Sequence, residues 1–137
     1  MKNKMTTIKA IIVAAILAFF LSLSPGEAMQ FTVSGAVVNA TYTEPTTNAD
    51  GSPLIDLAST SVWFQIPGQA SVKGPTVPAS SSVGGGAINT TVTVPIVAGQ
   101  EANVGFWATA IDLSANESAP SPKVTLRIDR LAPAPPS

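Results

Sequence analysis

The sequence predicts an all-β domain made of short antiparallel strands. Three observations lead to this fold class. Apolar and polar residues alternate in several short runs, turn-forming residues separate these runs, and no stretch after residue 28 repeats with a helical period. Alternation sends successive side chains to opposite faces, so each run has one face for a core and one for solvent. Several such strands joined by turns indicate a sandwich or a barrel.

The first 28 residues precede this domain and have the composition of a signal peptide. Lysines at positions 2, 4 and 9 come before the apolar run of residues 11–23, and Gly26-Glu27-Ala28 offers small residues where a signal peptidase reads them. The apolar run is shorter than the roughly 20 residues of a membrane span. We therefore expect cleavage after Ala28 and export to the periplasm, the cell surface or the medium. The alternative is an uncleaved leader, which would then be the chain's membrane contact.

Five runs in the domain, residues 29–131, are expected to turn their apolar side chains inward. In chain order the inward residues are Val38, Ala40 and Tyr42; Val62 and Phe64; Ile88, Val92 and Val94; Val104, Phe106, Ala108 and Ala110; and Val124, Leu126 and Ile128. Residues rich in Gly, Pro, Asn, Asp and Ser separate the runs, at 48–53, 67–68, 74–86, 98–99 and 114–122. Residues 132–137 form a proline-rich tail or linker.

Two motifs resemble the fibronectin type III family. Residues 42–58 read Tyr-Thr-Glu-Pro-Thr-Thr-Asn-Ala-Asp-Gly-Ser-Pro-Leu-Ile-Asp-Leu-Ala and are similar to the second strand and following loop of bacterial members. Residues 108–121 read Ala-Thr-Ala-Ile-Asp-Leu-Ser-Ala-Asn-Glu-Ser-Ala-Pro-Ser and are similar to the sixth strand and its turn. The resemblance runs from about residue 37 to residue 129. It implies an immunoglobulin-like antiparallel β-sandwich of about seven strands, and it implies a fold much more than a function.

The chain departs from the family pattern at three places. Tyr42 stands where the family usually has a core tryptophan, and Val104 stands where it usually has a corner tyrosine with a stabilising hydroxyl contact. Thirteen residues of the mature domain precede Tyr42, so we expect a first strand that is short, about residues 30–33, or missing. An edge left open in this way would accept a strand from another chain.

The composition argues against catalysis and against nucleic acid as a partner. The chain has no histidine and no cysteine, so the usual general bases, thiol nucleophiles and zinc ligands are absent. We therefore expect no enzymatic activity and no cofactor. After residue 28, four Lys and Arg side chains stand against seven Asp and Glu side chains, a balance that would not hold a phosphate backbone.

The loop that contains Asn48, Asp50, Ser52 and Asp56 is faintly similar to a calcium-binding loop. Its glycine, Gly51, follows at the fourth position of the motif instead of the sixth, and the twelfth position is not a glutamate. Asn, Asp and Gly also build tight turns by bonding to their own backbone. We expect a turn without a metal.

The candidate binding site consists of Trp63, Trp107 and Arg127. Both tryptophans fall at outward positions of strands that the resemblance makes neighbours, and Arg127 lies outward on the next strand. Exposed aromatic rings beside a guanidinium suit a sugar ring or a protein contact. The alternative is that the group only stabilises the sheet, with Arg127 stacked on Trp107.

Two functions fit these features. The first is a non-catalytic extracellular or periplasmic binding or adhesion module, with a protein or a polysaccharide as partner. The second is a structural subunit or spacer that self-associates through an open sheet edge. The mass in solution separates them, because a binding module is expected to be a monomer and an assembling subunit is not.

Overall fold

The computed structural model describes residues 28–137, so the predicted signal peptide lies outside the described residues except for Ala28. The described part of the chain forms seven strands and no helix. The strands are β1 (Gln30–Ser34), β2 (Val37–Thr43), β3 (Leu57–Gln65), β4 (Val72–Pro78), β5 (Ala87–Thr93), β6 (Glu101–Asp112) and β7 (Val124–Asp129). No helix able to cross a bilayer occurs in residues 28–137.

The strands form two antiparallel sheets that pack face to face. One sheet has the order β1-β2-β5, and the other has the order β4-β3-β6-β7. The predicted architecture, an all-β antiparallel sandwich of about seven strands, is therefore confirmed. The first strand is short, as expected, and its five residues pair with Val37 to Thr41 of β2. Because β1 is present, β1 and not β2 forms the edge of the smaller sheet.

Phe106 lies at the centre of the core. Its side chain is fully buried, and its ring centroid lies 5.2 Å from that of Phe31 and 6.4 Å from that of Phe64. The buried residues around it come from both sheets and are Val38, Ala40, Val62, Phe64, Val92, Val94, Ile96, Val104 and Ile128. Alternation predicted all of these except Ile96, which follows β5. Tyr42 and Leu126 are only partly buried and pack at the margin of the core.

Tyr42 and Val104 occupy different environments in the structure. Tyr42 joins the sheets, because its hydroxyl on β2 shares a 2.7 Å hydrogen bond with Thr60 Oγ1 on β3. Burial raises the pKa of Tyr42 above its usual value, against the opposing effect of this hydrogen bond. Val104 is fully buried and belongs to the apolar core.

Candidate functional site

Four side chains form a row across one face of the larger sheet, which we call the tryptophan row. It consists of Lys73 on β4, Trp63 on β3, Trp107 on β6 and Lys123 directly before β7. Trp63 is paired with Lys73 of β4 on one side and with Trp107 of β6 on the other. The two indole planes lie within 4° of parallel, with ring centroids 6.4 Å apart. Lys73 Nζ lies 5.5 Å from the centroid of Trp63, and Lys123 Nζ lies 4.6 Å from that of Trp107.

Hydrogen bonds within the domain hold the tryptophan row in place. Trp63 Nε1 donates to Thr109 Oγ1 at 2.9 Å, and the Thr109 hydroxyl donates to Glu117 Oε1 at 2.7 Å. The ammonium of Lys123 donates to Gln65 Oε1 at 3.1 Å. Trp63 and Lys123 therefore have hydrogen-bond partners within the domain itself.

A glycine makes room for the stem of Lys123. A Cβ placed on Gly105 would come within 2.8 Å of Lys123 Cδ, so the aliphatic stem lies directly over the β6 backbone. From there the ammonium reaches the ring of Trp107. The glycine at position 105 thus permits the cation–π contact at this end of the row.

Arg127 lies on the same face of the sheet but not in the row. It is paired with Asn103, and its guanidinium bonds to Glu101 and lies 3.2 Å from Asp129 Oδ2. The hydrogen bond and the charge of Glu101 raise the pKa of Arg127 above its usual value. Arg127 therefore does not stack on Trp107, because Lys123 occupies that position, while the cross-strand tryptophan pair expected in the same interpretation is present.

The lysines of the row are expected to contribute to stability, and Arg127 is not. Lys123→Ala removes a cation–π contact and the hydrogen bond to Gln65, so we expect the free energy of unfolding to fall by about 0.5–1 kcal/mol. Arg127→Ala is the matched control, because exposed ion pairs contribute little. Urea unfolding of both variants measures the difference. Equal losses would show that the lysine is not stabilising the row.

A second feature, an apolar groove, opens at the end of the sandwich where β2 and β6 end. It has a volume of about 650 Å³ and lies between the loop that follows β2 and the second half of β6 with the turn after it. Its apolar lining includes Tyr42, Pro45, Leu54, Ala110, Ala119 and Pro122. Met29, just before β1, also lines the groove, and its Sδ atom lies 3.9 Å from Ser121 Oγ.

The groove exists because the outer strands stop before the inner ones do. β7 pairs with residues 101–106 of β6, and β1 pairs with residues 37–41 of β2. The remaining part of β6 is bordered instead by the turn after it. Ser118 N and Ser121 N donate to the carbonyls of Ala110 and Ala108, while the two serine hydroxyls accept from the amides of Ala110 and Ala108.

The charged side chains that line the groove are already engaged. Asp112 accepts hydrogen bonds from Ser114 N and from the side-chain and backbone nitrogens of Asn116. These bonds, led by that from the Asn116 side chain, hold the pKa of Asp112 below its usual value. Glu117 accepts a hydrogen bond from the hydroxyl of Thr109. The groove therefore offers apolar surface with few polar groups in need of a partner.

The loop with calcium-like spacing is closed by its own side chains. Asp50 Oδ1 accepts from Ser52 N at 2.9 Å and from Ser52 Oγ at 2.6 Å, and Asn48 Nδ2 donates to Ser52 Oγ at 3.0 Å. The bonds from Ser52 lower the pKa of Asp50. Gly51 adopts a φ of +85°, as the turn requires. Within residues 28–137, no three His, Cys, Asp or Glu side chains converge as metal ligands would.

Sequence reasoning identified the two tryptophans and missed the lysines beside them. Lys73 and Lys123 lie at or next to strand ends, where alternation does not predict which way a side chain points. Their contacts with the tryptophans depend on the register between strands, which the sequence does not show. The groove was missed because it depends on how far each strand extends past its neighbour.

Comparison of the chain with family models, with curated proteins and with solved structures found no match. Its function is therefore inferred from the groove and the tryptophan row.

Proposed function

We propose that this chain is an exported, non-catalytic binding module of fibronectin type III-like architecture, and that its apolar groove accepts an extended, uncharged segment of a partner protein. The observation that carries the proposal is the groove of about 650 Å³, whose lining is mostly apolar and whose two carboxylates already accept hydrogen bonds from Thr109 and Asn116. A well-formed apolar concavity of this size is the usual form of a binding site. Export is supported by the composition of residues 1–28.

The shape of the groove favours an extended segment. It is open to solvent and lies between the ends of two strands from opposite sheets, with lining residues that follow one another along β6 from Ala108 to Asp112. The β6 amides at its border already donate to Ser118 and Ser121. Binding would therefore depend on side-chain packing more than on new backbone hydrogen bonds. A segment without free N–H groups would lose little binding free energy for lack of such bonds.

The charges of the groove disfavour an acidic partner. Asp112 and Glu117 accept hydrogen bonds from Asn116 and Thr109, which are neutral groups and supply no counter-charge. An acidic side chain in the groove would therefore meet two carboxylates. A charge buried against apolar lining without a counter-charge is strongly unfavourable.

Peptide binding to the full chain tests this function. A series of seven-residue uncharged peptides rich in Pro, Ala and Leu is titrated by calorimetry, together with the same peptides carrying one central Glu. We expect the peptides with the central Glu to bind at least tenfold more weakly than the uncharged peptides. Ala119→Glu places a charge at the groove and should also reduce affinity at least tenfold, because Ala119 is an exposed lining residue.

The control for this experiment is Asn89→Glu, which adds the same charge at an exposed position of β5 outside the groove. It should bind the peptides like the unaltered chain. Equal weakening by Ala119→Glu and Asn89→Glu, or no binding of any peptide, would contradict the groove as the site.

A polysaccharide partner on the tryptophan face is a second candidate, and Trp63, Trp107 and Arg127 as binding residues stay a prediction. One observation favours Trp107 over Trp63 as the contact: within the described residues Trp107 Nε1 has no hydrogen-bond acceptor, whereas Trp63 Nε1 donates to Thr109. Tryptophan fluorescence titrated with polysaccharides tests it. Trp107→Ala should abolish any response that Ala119→Glu leaves intact.

A further inference from the structure

The proline-rich tail, residues 132–137, is an exposed apolar segment. Beyond β7, Leu131 N donates to Asp129 Oδ1 at 2.9 Å, and no hydrogen bond within residues 28–137 involves the tail itself. The tail has three prolines, two alanines and one serine, and no charged side chain. Leu131 before it is 50% exposed. Prolines hold such a segment extended before it binds, so little conformational entropy is lost on docking.

The tail and the groove lie at opposite ends of the sandwich. Asp129, the last residue of β7, is paired with Glu101, the first residue of β6. The groove borders the other end of β6, from Ala108 onward. The tail therefore leaves the domain at the end that is far from the groove.

Residues 131–137 do not span the distance to the groove of their own domain with enough length left to fill it. The nearest groove residue, Val124, is paired with Phe106, which lies five residue steps along β6 from Glu101, about 17 Å at 3.3 Å per residue. Residues 131–137 span about 22 Å when extended, and they must first reverse direction. Most of their length would be used to arrive at the nearest groove residue, and the remainder would not fill the groove.

We infer that the groove is occupied by the proline-rich tail of a second copy of this chain. This inference rests on the groove being a binding site for an extended, uncharged segment, as proposed above, and it names the source of that segment. The tail has the required chemistry, since it is apolar, uncharged and extended. Its prolines lack N–H groups, so they would not leave buried donors unpaired beside β6 amides that are already bonded to Ser118 and Ser121.

Head-to-tail contacts of this kind do not close on themselves. Each copy presents a tail at one end and a groove at the other, so the interface is heterologous and copies add in a line unless the rotation between them closes a ring. This differs from pairing through the edge strand β1, which would join two equivalent edges.

Mixing two variants of the full chain tests the inference. Ala119→Glu alters the groove and keeps the tail. A double variant, Pro133→Glu with Pro135→Glu, alters the tail and keeps the groove; both prolines are exposed. We expect the unaltered chain and the Asn89→Glu control to gain mass with concentration in sedimentation experiments, passing the mass of a dimer. Each altered variant alone should stay a monomer, with an unchanged melting temperature.

An equimolar mixture of the two variants can form one tail–groove contact and no second one. We therefore expect a 1:1 dimer that does not grow at higher concentration. A mixture that stays monomeric at high micromolar concentration overturns the inference, as does assembly of the tail variant alone. If the uncharged seven-residue peptides still bind the groove in that case, the proposed function stands, and only the assignment of the tail as the occupant fails. If no peptide binds either, both fail.

Discussion

Phe106→Ala is expected to lower the free energy of unfolding by about 3–5 kcal/mol, a large share of the stability of a domain this size. The ring is fully buried and contacts Phe31 from the smaller sheet and Phe64 from the larger one. Its removal leaves a cavity between the two sheets, and the surrounding strands cannot collapse into it without breaking their register. Urea unfolding followed by tryptophan fluorescence measures the loss. Both tryptophans are half-buried and stacked on each other in the folded chain, and unfolding changes their environment.

Leu113→Ala is the matched control for this substitution. Leu113 is 74% exposed in the turn after β6, so its truncation should change stability by less than about 0.5 kcal/mol. A loss at Phe106 no greater than that at Leu113 would mean that the core is not organised around Phe106.

Glu44→Ala is expected to cost about 2–4 kcal/mol, although most surface glutamates can be replaced at little cost. Glu44 is 2% exposed at the end of β2. Its carboxylate accepts the backbone and side-chain donors of Ser80 and the amide of Gly86, and so fastens the loop between β4 and β5 to β2. Without the carboxylate, these part-buried donors lose their acceptor. Glu101→Ala, at an exposed position, is the control and should change little.

The contribution of Glu44 depends on pH. Burial opposes its ionisation, but the hydrogen bonds from Ser80 and Gly86 outweigh burial and hold the pKa of Glu44 below its usual value of 4.5. Such a group contributes its full stabilisation above 4.5, and the contribution is lost as the pH falls through the lower pKa of the folded state. The stability difference between the unaltered chain and Glu44→Ala should therefore narrow below pH 4.5. A difference that widens with acid would contradict this assignment.

The fold could be predicted from the sequence because period-2 alternation is a local property. It correctly assigned residues such as Val62, Phe64 and Phe106 to the core. Ile96 escaped prediction since it is buried after the end of β5, where no alternating run marks it. Glu44 escaped because a carboxylate is expected at the surface, and the donors that make its burial favourable lie 36 or more residues away.

The candidate sites were harder to predict than the fold, because they depend on register and strand length. Outward alternation found Trp63 and Trp107, but only the pairing across strands shows that Lys73 and Lys123 complete the row. The groove needs the end points of β1, β2, β6 and β7 relative to one another. No short stretch of sequence contains that information.

The serine hydroxyls that accept from the β6 amides have a consequence for how selective this surface can be. Strand addition is tolerant of sequence, because every residue except proline offers the same backbone groups to a sheet edge. With Ser118 and Ser121 bonded to Ala110 and Ala108, that indiscriminate mode is closed along this part of β6. This surface would then select a partner segment by the shape of its side chains and not by backbone hydrogen bonding. Proline, which most added strands exclude because it has no N–H group, becomes acceptable here.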